Sequence, residues 1–181
     1  MLNNMSKEFQ QDNRGFSLLE VVVALGLLIM VFGGVTGLAI LSTEAAKSSK
    51  NNLIAGYLAK EAQEIVRYKR DLNYLLAVPP FTDIADTTSD NAVQYYKINY
   101  DGTITTTTDA EVENAAVLEI ASNFYAQSAG TDTIFRRLVT TTYHAAAGPL
   151  PAYIDVLVEV YWNDDTRRNT YTLQSELTDW R

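Results

Sequence analysis

Residues Phe16 to Leu41 form an apolar run whose single ionisable residue is Glu20. A helix needs about 20 apolar residues to cross the hydrocarbon of a bilayer, so this run is long enough to span one. A carboxylate held inside hydrocarbon costs roughly 3 kcal/mol even on the lenient insertion scales, and Glu20 therefore carries a functional expectation. Its position about one turn inside the run also admits a plainer reading, a side chain that snorkels to the interface. At the mouth of the run a small residue, Gly15, meets a bulky one, Phe16, which reads as a processing boundary.

The residues before that boundary are polar and include Lys7, Glu8, Asp12 and Arg14, so 1–15 read as a leader that is cut away. A secretory signal peptide has an apolar region of roughly 7–15 residues with its cleavage site after it. Here the apolar run is longer and the junction precedes it. Lys7 and Arg14 on one side balance Lys47 and Lys50 on the other, so the positive-inside rule leaves the orientation open. Within the run, Gly33 and Gly37 have the small-residue spacing that lets membrane helices pack closely, while the same glycines with Gly26 and Gly34 also suit local flexibility.

The helical pattern continues beyond the run. From Thr43 to about Leu72 there is no proline, and Gly56 is the lone glycine. Leu53, Ile54, Tyr57, Leu58, Ala62, Ile65 and Val66 recur at spacings of three and four, with Lys60, Glu61, Glu64 and Arg67 among them. That is an amphipathic helix with one face for a core. A single helix from Phe16 to Leu72 would be about 85 Å long at 1.5 Å per residue. It would be greasy all round in one half and two-faced in the other, which suits an array of parallel helices. Val78-Pro79-Pro80 ends it, since proline lacks an N–H and restricts its predecessor.

The rest is β-patterned. Residues 82–91 read as a loop. Tyr95–Tyr100 and Thr103–Thr108 read as a hairpin about Asp101-Gly102. Residues 111–126 fit helix or strand, with strand preferred from Val117. Thr133–Tyr143 is β-rich, and Gly148-Pro149-Leu150-Pro151 breaks the chain. Ile154, Val156, Val158, Val160 and Trp162 alternate, Asn163-Asp164-Asp165 turns, and Tyr171, Leu173, Ser175 and Leu177 alternate again. Short connections predict an antiparallel sheet with one face covered, and the amphipathic helix is the natural cover.

Composition narrows the function. The net charge of −8 disfavours broad, non-specific binding to nucleic acid, which depends on Lys and Arg neutralising phosphates. The absence of cysteine removes disulfides and thiolate metal sites. No nucleophile–base set and no zinc spacing is identifiable, so neither catalytic residues nor a cofactor is expected. His144, the single histidine, reads as a loop residue beside an Ala-rich stretch. Asp164-Asp165 and Asp83, Asp86 and Asp90 offer oxygen ligands for calcium, but turn chemistry explains them better. Arg67, Lys69 and Arg70 sit near a helix C-terminus, where cations are favourable. Arg136, Arg137, Arg167 and Arg168 read as solvated strand faces, with a small DNA-contacting patch as the alternative.

The segment Gly15-Phe16-Ser17-Leu18-Leu19-Glu20-Val21-Val22-Val23-Ala24 resembles the N-terminal motif of the type IV pilin superfamily, which includes type II secretion pseudopilins and competence pilins. Leu58–Arg67 looks like the soluble half of the helix of minor pilins. Phe135-Arg136-Arg137, Val156–Trp162 and Leu173–Leu177 are similar to the sheet of V- and I-type minor pilins and pseudopilins. The resemblance implies that a prepilin peptidase of the membrane cuts between Gly15 and Phe16 and methylates the new amine on Phe16. It also implies that Glu20 pairs with the amine of a neighbouring Phe16 during assembly. An α-amino group titrates at about 8, so it is largely cationic at neutral pH, and methylation keeps the charge. Two charges that are each costly in hydrocarbon become compatible as a pair. The lack of a proline before Pro79 and of a cysteine pair departs from many major pilins and fits a minor pilin or pseudopilin better.

The expected fold is thus α+β and pilin-like, a long N-terminal helix packed on a C-terminal antiparallel sheet. Its parts are a cytoplasmic leader (1–15), a transmembrane assembly helix (16–41), an amphipathic helix (42–76) and an extracytoplasmic β-rich domain (77–181). The expected role is a structural subunit, not an enzyme, of a type IV pilus or related filament. Its partners would be the prepilin peptidase, other pilin subunits, an inner-membrane assembly platform and membrane lipid. The alternatives are a secretion or competence pseudopilin, or a single-span anchored binding domain that does not polymerise.

Overall fold

A computed structural model describes residues 17–115, 117–121, 124–127, 130–164 and 167–179. The chain divides into two compact units, one ending at Ala46 and one running from Lys47. A single helix, α1 (Leu18–Leu75), supplies the described part of the first and opens the second. In the first unit every helical residue is exposed. Its most apolar 18-residue window has a mean hydropathy of 2.6, so the helix is long and apolar enough to cross a membrane.

From Lys47 the helix becomes two-faced. Ala55, Leu58, Ala59, Ala62 and Val66 are buried, and Ile54 and Ile65 are partly so. Leu53 and Tyr57, expected on the core face, are instead 60% and 65% exposed. The face is centred on the small residues Ala55, Ala59 and Ala62, all fully buried. A reading that weights large apolar side chains misplaces that centre by part of a turn. The helix ends before its prolines. Ala77 takes a left-handed φ of 55°, its N–H bonds to the Tyr74 carbonyl at 3.1 Å, and the Val78 N–H bonds to the Asn73 carbonyl at 3.0 Å. This is the Schellman arrangement with alanine where glycine is usual, and Pro79 follows it.

Beyond the helix, buried Asn73 holds the returning loop by donating to the carbonyls of Pro80 (3.0 Å) and Thr82 (2.9 Å). Phe81 and Ile84 from that loop enter the core. Among the described residues seven strands follow: β1 (Val93–Ile98), β2 (Ile104–Thr107), β3 (Val117–Ala121), β4 (Phe124–Ala126), β5 (Thr131–His144), β6 (Tyr153–Asp164) and β7 (Arg167–Thr178). All pair antiparallel in one sheet. The long β5 organises it. One edge pairs with β6 from Phe135 to His144, while the other is shared between β1 at Val139–Thr142 and β3 at Thr131–Arg136.

The hairpin at Asp101-Gly102 forms, with Gly102 at a φ of 83° that favours glycine. The expected turn at Asn163-Asp164-Asp165 is corrected in part. Asn163 and Asp164 are strand residues paired with Arg168 and Arg167, and Asp165 lies outside the described residues. His144 is also corrected, from loop to the last residue of β5.

The helix-facing side of the sheet carries Ile154, Val156, Val158, Val160 and Trp162, each at most 1% exposed. The opposite side is not bare, as expected, but carries a satellite cluster. Val112 and Ala115 from the β2–β3 connection pack with Leu138 and Tyr161. Arg136 donates to the Ala115 carbonyl and Arg168 pairs with Glu113 at 3.1 Å, so two strand cations hold that connection down.

Candidate functional site

The helix begins where the Ser17 carbonyl accepts the first intrahelical bond, from the Val21 N–H at 3.2 Å. Glu20 therefore falls in the first turn, where the unsatisfied N–H groups and the helix dipole favour negative charge. It is exposed, with exposed Leu18, Leu19, Val21 and Val22 beside it in sequence. Among the described residues no cation pairs with Glu20 inside the apolar segment, whose composition contains none between Phe16 and Leu41. An ionised carboxylate on such a surface is compatible with hydrocarbon only if a charge is supplied from outside the segment or the side chain reaches the interface. Gly15 and Phe16, the expected processing pair, lie outside the described residues.

The other candidate residues do not converge. Asp83 pairs with Lys69 at 3.2 Å. Asp86 accepts from the Thr88 N–H at 3.0 Å, and hydrogen bonds from Thr88 hold its carboxyl below the usual range. Asp90 accepts from the Ala145 N–H at 2.9 Å, and Asp164 pairs with Lys47 at 3.2 Å. Among the described residues no three acidic or histidine side chains gather as a metal site. His144 stacks on Tyr153 with ring centroids 4.3 Å apart and meets Asp155 at 3.0 Å.

The arginines expected on solvated faces are divided by the sheet. Arg136 and Arg137 are consecutive on β5 and so point to opposite sides. Arg137 is fully buried under the helix, where it donates to the Leu58 and Ile98 carbonyls and pairs with Glu61 at 2.9 Å. Burial pulls its guanidinium below its ordinary value, and Glu61 opposes that. Sequence reasoning missed this residue. The available signal was phase, since Arg137 alternates with Phe135, Val139 and Thr141, all of which face inward. The cations near the helix end are each engaged locally, Arg67 with Glu64 at 2.6 Å and Arg70 with Asp71 at 2.8 Å.

Residues 10–36 match the family described as the prokaryotic N-terminal methylation motif. The match spans Gly15, Phe16 and Glu20 and the first part of the apolar helix. No curated protein and no solved structure matches the chain.

Proposed function

We propose, for a chain that carries the prepilin-type signal of type IV pilins over residues 10–36, the role of a structural subunit in a type IV pilus or related filament. The motif marks a type IV pilin-like prepilin substrate, which implies processing by a prepilin peptidase and assembly with other pilins. The apolar helix anchors it in a membrane. In this reading the peptidase cuts between Gly15 and Phe16, the Phe16 amine is methylated, and the sheet domain stands outside the cytoplasmic membrane until the subunit enters the filament. The chain is acted on at its junction and catalyses nothing itself. A minor pilin or pseudopilin is preferred to a major pilin because the chain lacks both a mid-helix proline and a cysteine pair.

One observation carries the proposal: the methylation motif coincides with the apolar run Phe16–Leu41, whose lone carboxylate, Glu20, sits in the first turn of α1. Cleavage then creates the missing cation. The new α-amine of Phe16 is charged at neutral pH, and paired with Glu20 of a neighbouring subunit it offsets the cost of both charges. Mass spectrometry of the membrane-extracted protein tests this. A mature N-terminus at N-methylated Phe16 is expected. An intact leader in cells with active prepilin peptidase would instead indicate a plain single-span anchor.

A further inference from the structure

The sheet leaves β2 at an edge, with no strand beyond it among the described residues. The phase of the hairpin tells which backbone groups are open there. Asn99 donates to the Thr103 carbonyl at 3.0 Å, and Lys97 faces Thr105 in register. Antiparallel partners exchange bonds at alternate residues, so Thr103, Thr105 and Thr107 bond inward to β1. The N–H and C=O groups of Ile104 and Thr106 therefore point away from the sheet. Edge strands are commonly blunted by proline, lysine or a bulge. β2 is short, but Ile104-Thr105-Thr106-Thr107 carries no charge and no proline, and its residues are all good strand formers.

Beside this edge lies an open groove of about 440 Å³. It is lined by Gly102 and by Ile104, Thr105 and Thr106 of β2, by Tyr96 of β1, and by Lys69 and Asp83. Tyr96, Ile98 and Ile104 belong to the helix-facing side, so the groove occupies the place where inward side chains of one more strand would sit. The charged residues that line it, Lys69 and Asp83, are of opposite sign, and Asp86 is not among the lining residues. Lys69 is matched by Asp83, and Asp86 adds a second carboxylate whose field, with that of Asp83, reaches the Tyr96 hydroxyl. Asp83 holds a left-handed φ of 64°, a conformation asparagine and aspartate tolerate better than most residues, and its side chain is 67% exposed.

We propose that the open edge of β2 binds an extended segment of a partner protein by strand addition, with an inward-pointing Lys or Arg of that segment entering the groove beside Asp83. Main-chain bonds to Ile104 and Thr106 supply the affinity, and the side-chain pocket supplies the specificity. Two carboxylates, Asp83 and Asp86, against the single cation Lys69, with the net charge of −8, select a basic segment over an acidic one.

The test uses the full chain in detergent micelles and two fluorescent Thr/Val-alternating peptides, one with a central Lys and the other with a central Glu. The Lys peptide is expected to bind about tenfold more tightly, a preference that weakens as salt rises. Thr106→Pro removes an outward N–H without removing a bond to β1, and is expected to weaken binding about tenfold. Asp83→Asn is expected to erase the preference for Lys. In the unaltered protein, the bound Lys peptide should slow amide exchange at Ile104 and Thr106, a readout that does not depend on the proline variant folding. Absence of Lys-peptide binding, equal binding of both peptides, or binding that leaves those amides unprotected overturns the proposal. Binding indifferent to Thr106→Pro but lost in Asp83→Asn also overturns it, assigning the groove to a free cation.

Discussion

The guanidinium of Arg137 and the carboxylate of Glu61 meet at 2.9 Å across the helix–sheet interface, the first fully buried and the second 36% exposed. The pair is one-sided: the cation is committed to the interior and the anion keeps contact with water. Arg137 also donates to the Leu58 carbonyl of the helix and the Ile98 carbonyl of β1, so one side chain links three elements.

Removing the anion should therefore cost more than removing the cation. Glu61→Ala leaves a buried guanidinium without its counter-charge and is expected to lower stability by about 2 kcal/mol, below the full cost of a broken buried pair because water screens this site. Arg137→Met keeps much of the apolar stem and is expected to cost about 1 kcal/mol. Urea unfolding followed by tryptophan fluorescence decides the order, and an equal or reversed ranking would refute it.

The phase of the helix gives a second test. Ala59 is fully buried against the sheet while Leu53 is 60% exposed. Ala59→Leu overfills a close contact and should cost about 1–3 kcal/mol. Leu53→Ala should change stability by less than about 0.5 kcal/mol despite removing a larger side chain. Thermal melts of the two variants in the same detergent check both values.

Tyr96 predicts an alkaline transition. Burial, with smaller contributions from Asp86 and Asp83, pushes its phenol from 10.0 up to about 12. The unfolded chain loses this proton at about pH 10 while the folded chain keeps it, so the contribution is fully present below pH 10. It is lost as pH rises through about 12, a fall on the order of 2–3 kcal/mol. Tyr96→Phe should lack that part of the decline, and parallel slopes for the two proteins between pH 10 and 12 would count against it.

Glu20 tests the assembly reading. Glu20→Leu makes the span more apolar, so membrane insertion should persist, while incorporation into filaments should fall by about tenfold or more. Immunoblots of membranes and sheared filaments measure the two separately. Normal incorporation of the variant would show that the carboxylate merely snorkels.

Much of this was legible in linear order. The apolar run, its lone Glu20 and the Gly15-Phe16 junction are local facts, because solvent by itself dictates that such a run be buried in lipid or protein. The period-two stretches gave β5, β6 and β7 for the same reason: Ile154 through Trp162 alternate because one face of the strand is dry. Ambiguity at 111–126 resolved to β3 and β4 from Val117, with Val112 and Ala115 left to cover the outer face.

The tertiary structure decided what depends on which residues meet. Arg137 reads as a surface cation until register sets it opposite Val160 and under Leu58. Leu53 and Tyr57 read as core until the helix buries its alanine face instead. The open edge at Ile104 and Thr106 exists because β2 pairs with β1 and, among the described residues, with no other strand. Periodicity along the chain records how strongly each face avoids water. It carries no information about the partner across the gap, and it is that partner's shape and charge that turn a dry face into a core, a buried ion pair or a site.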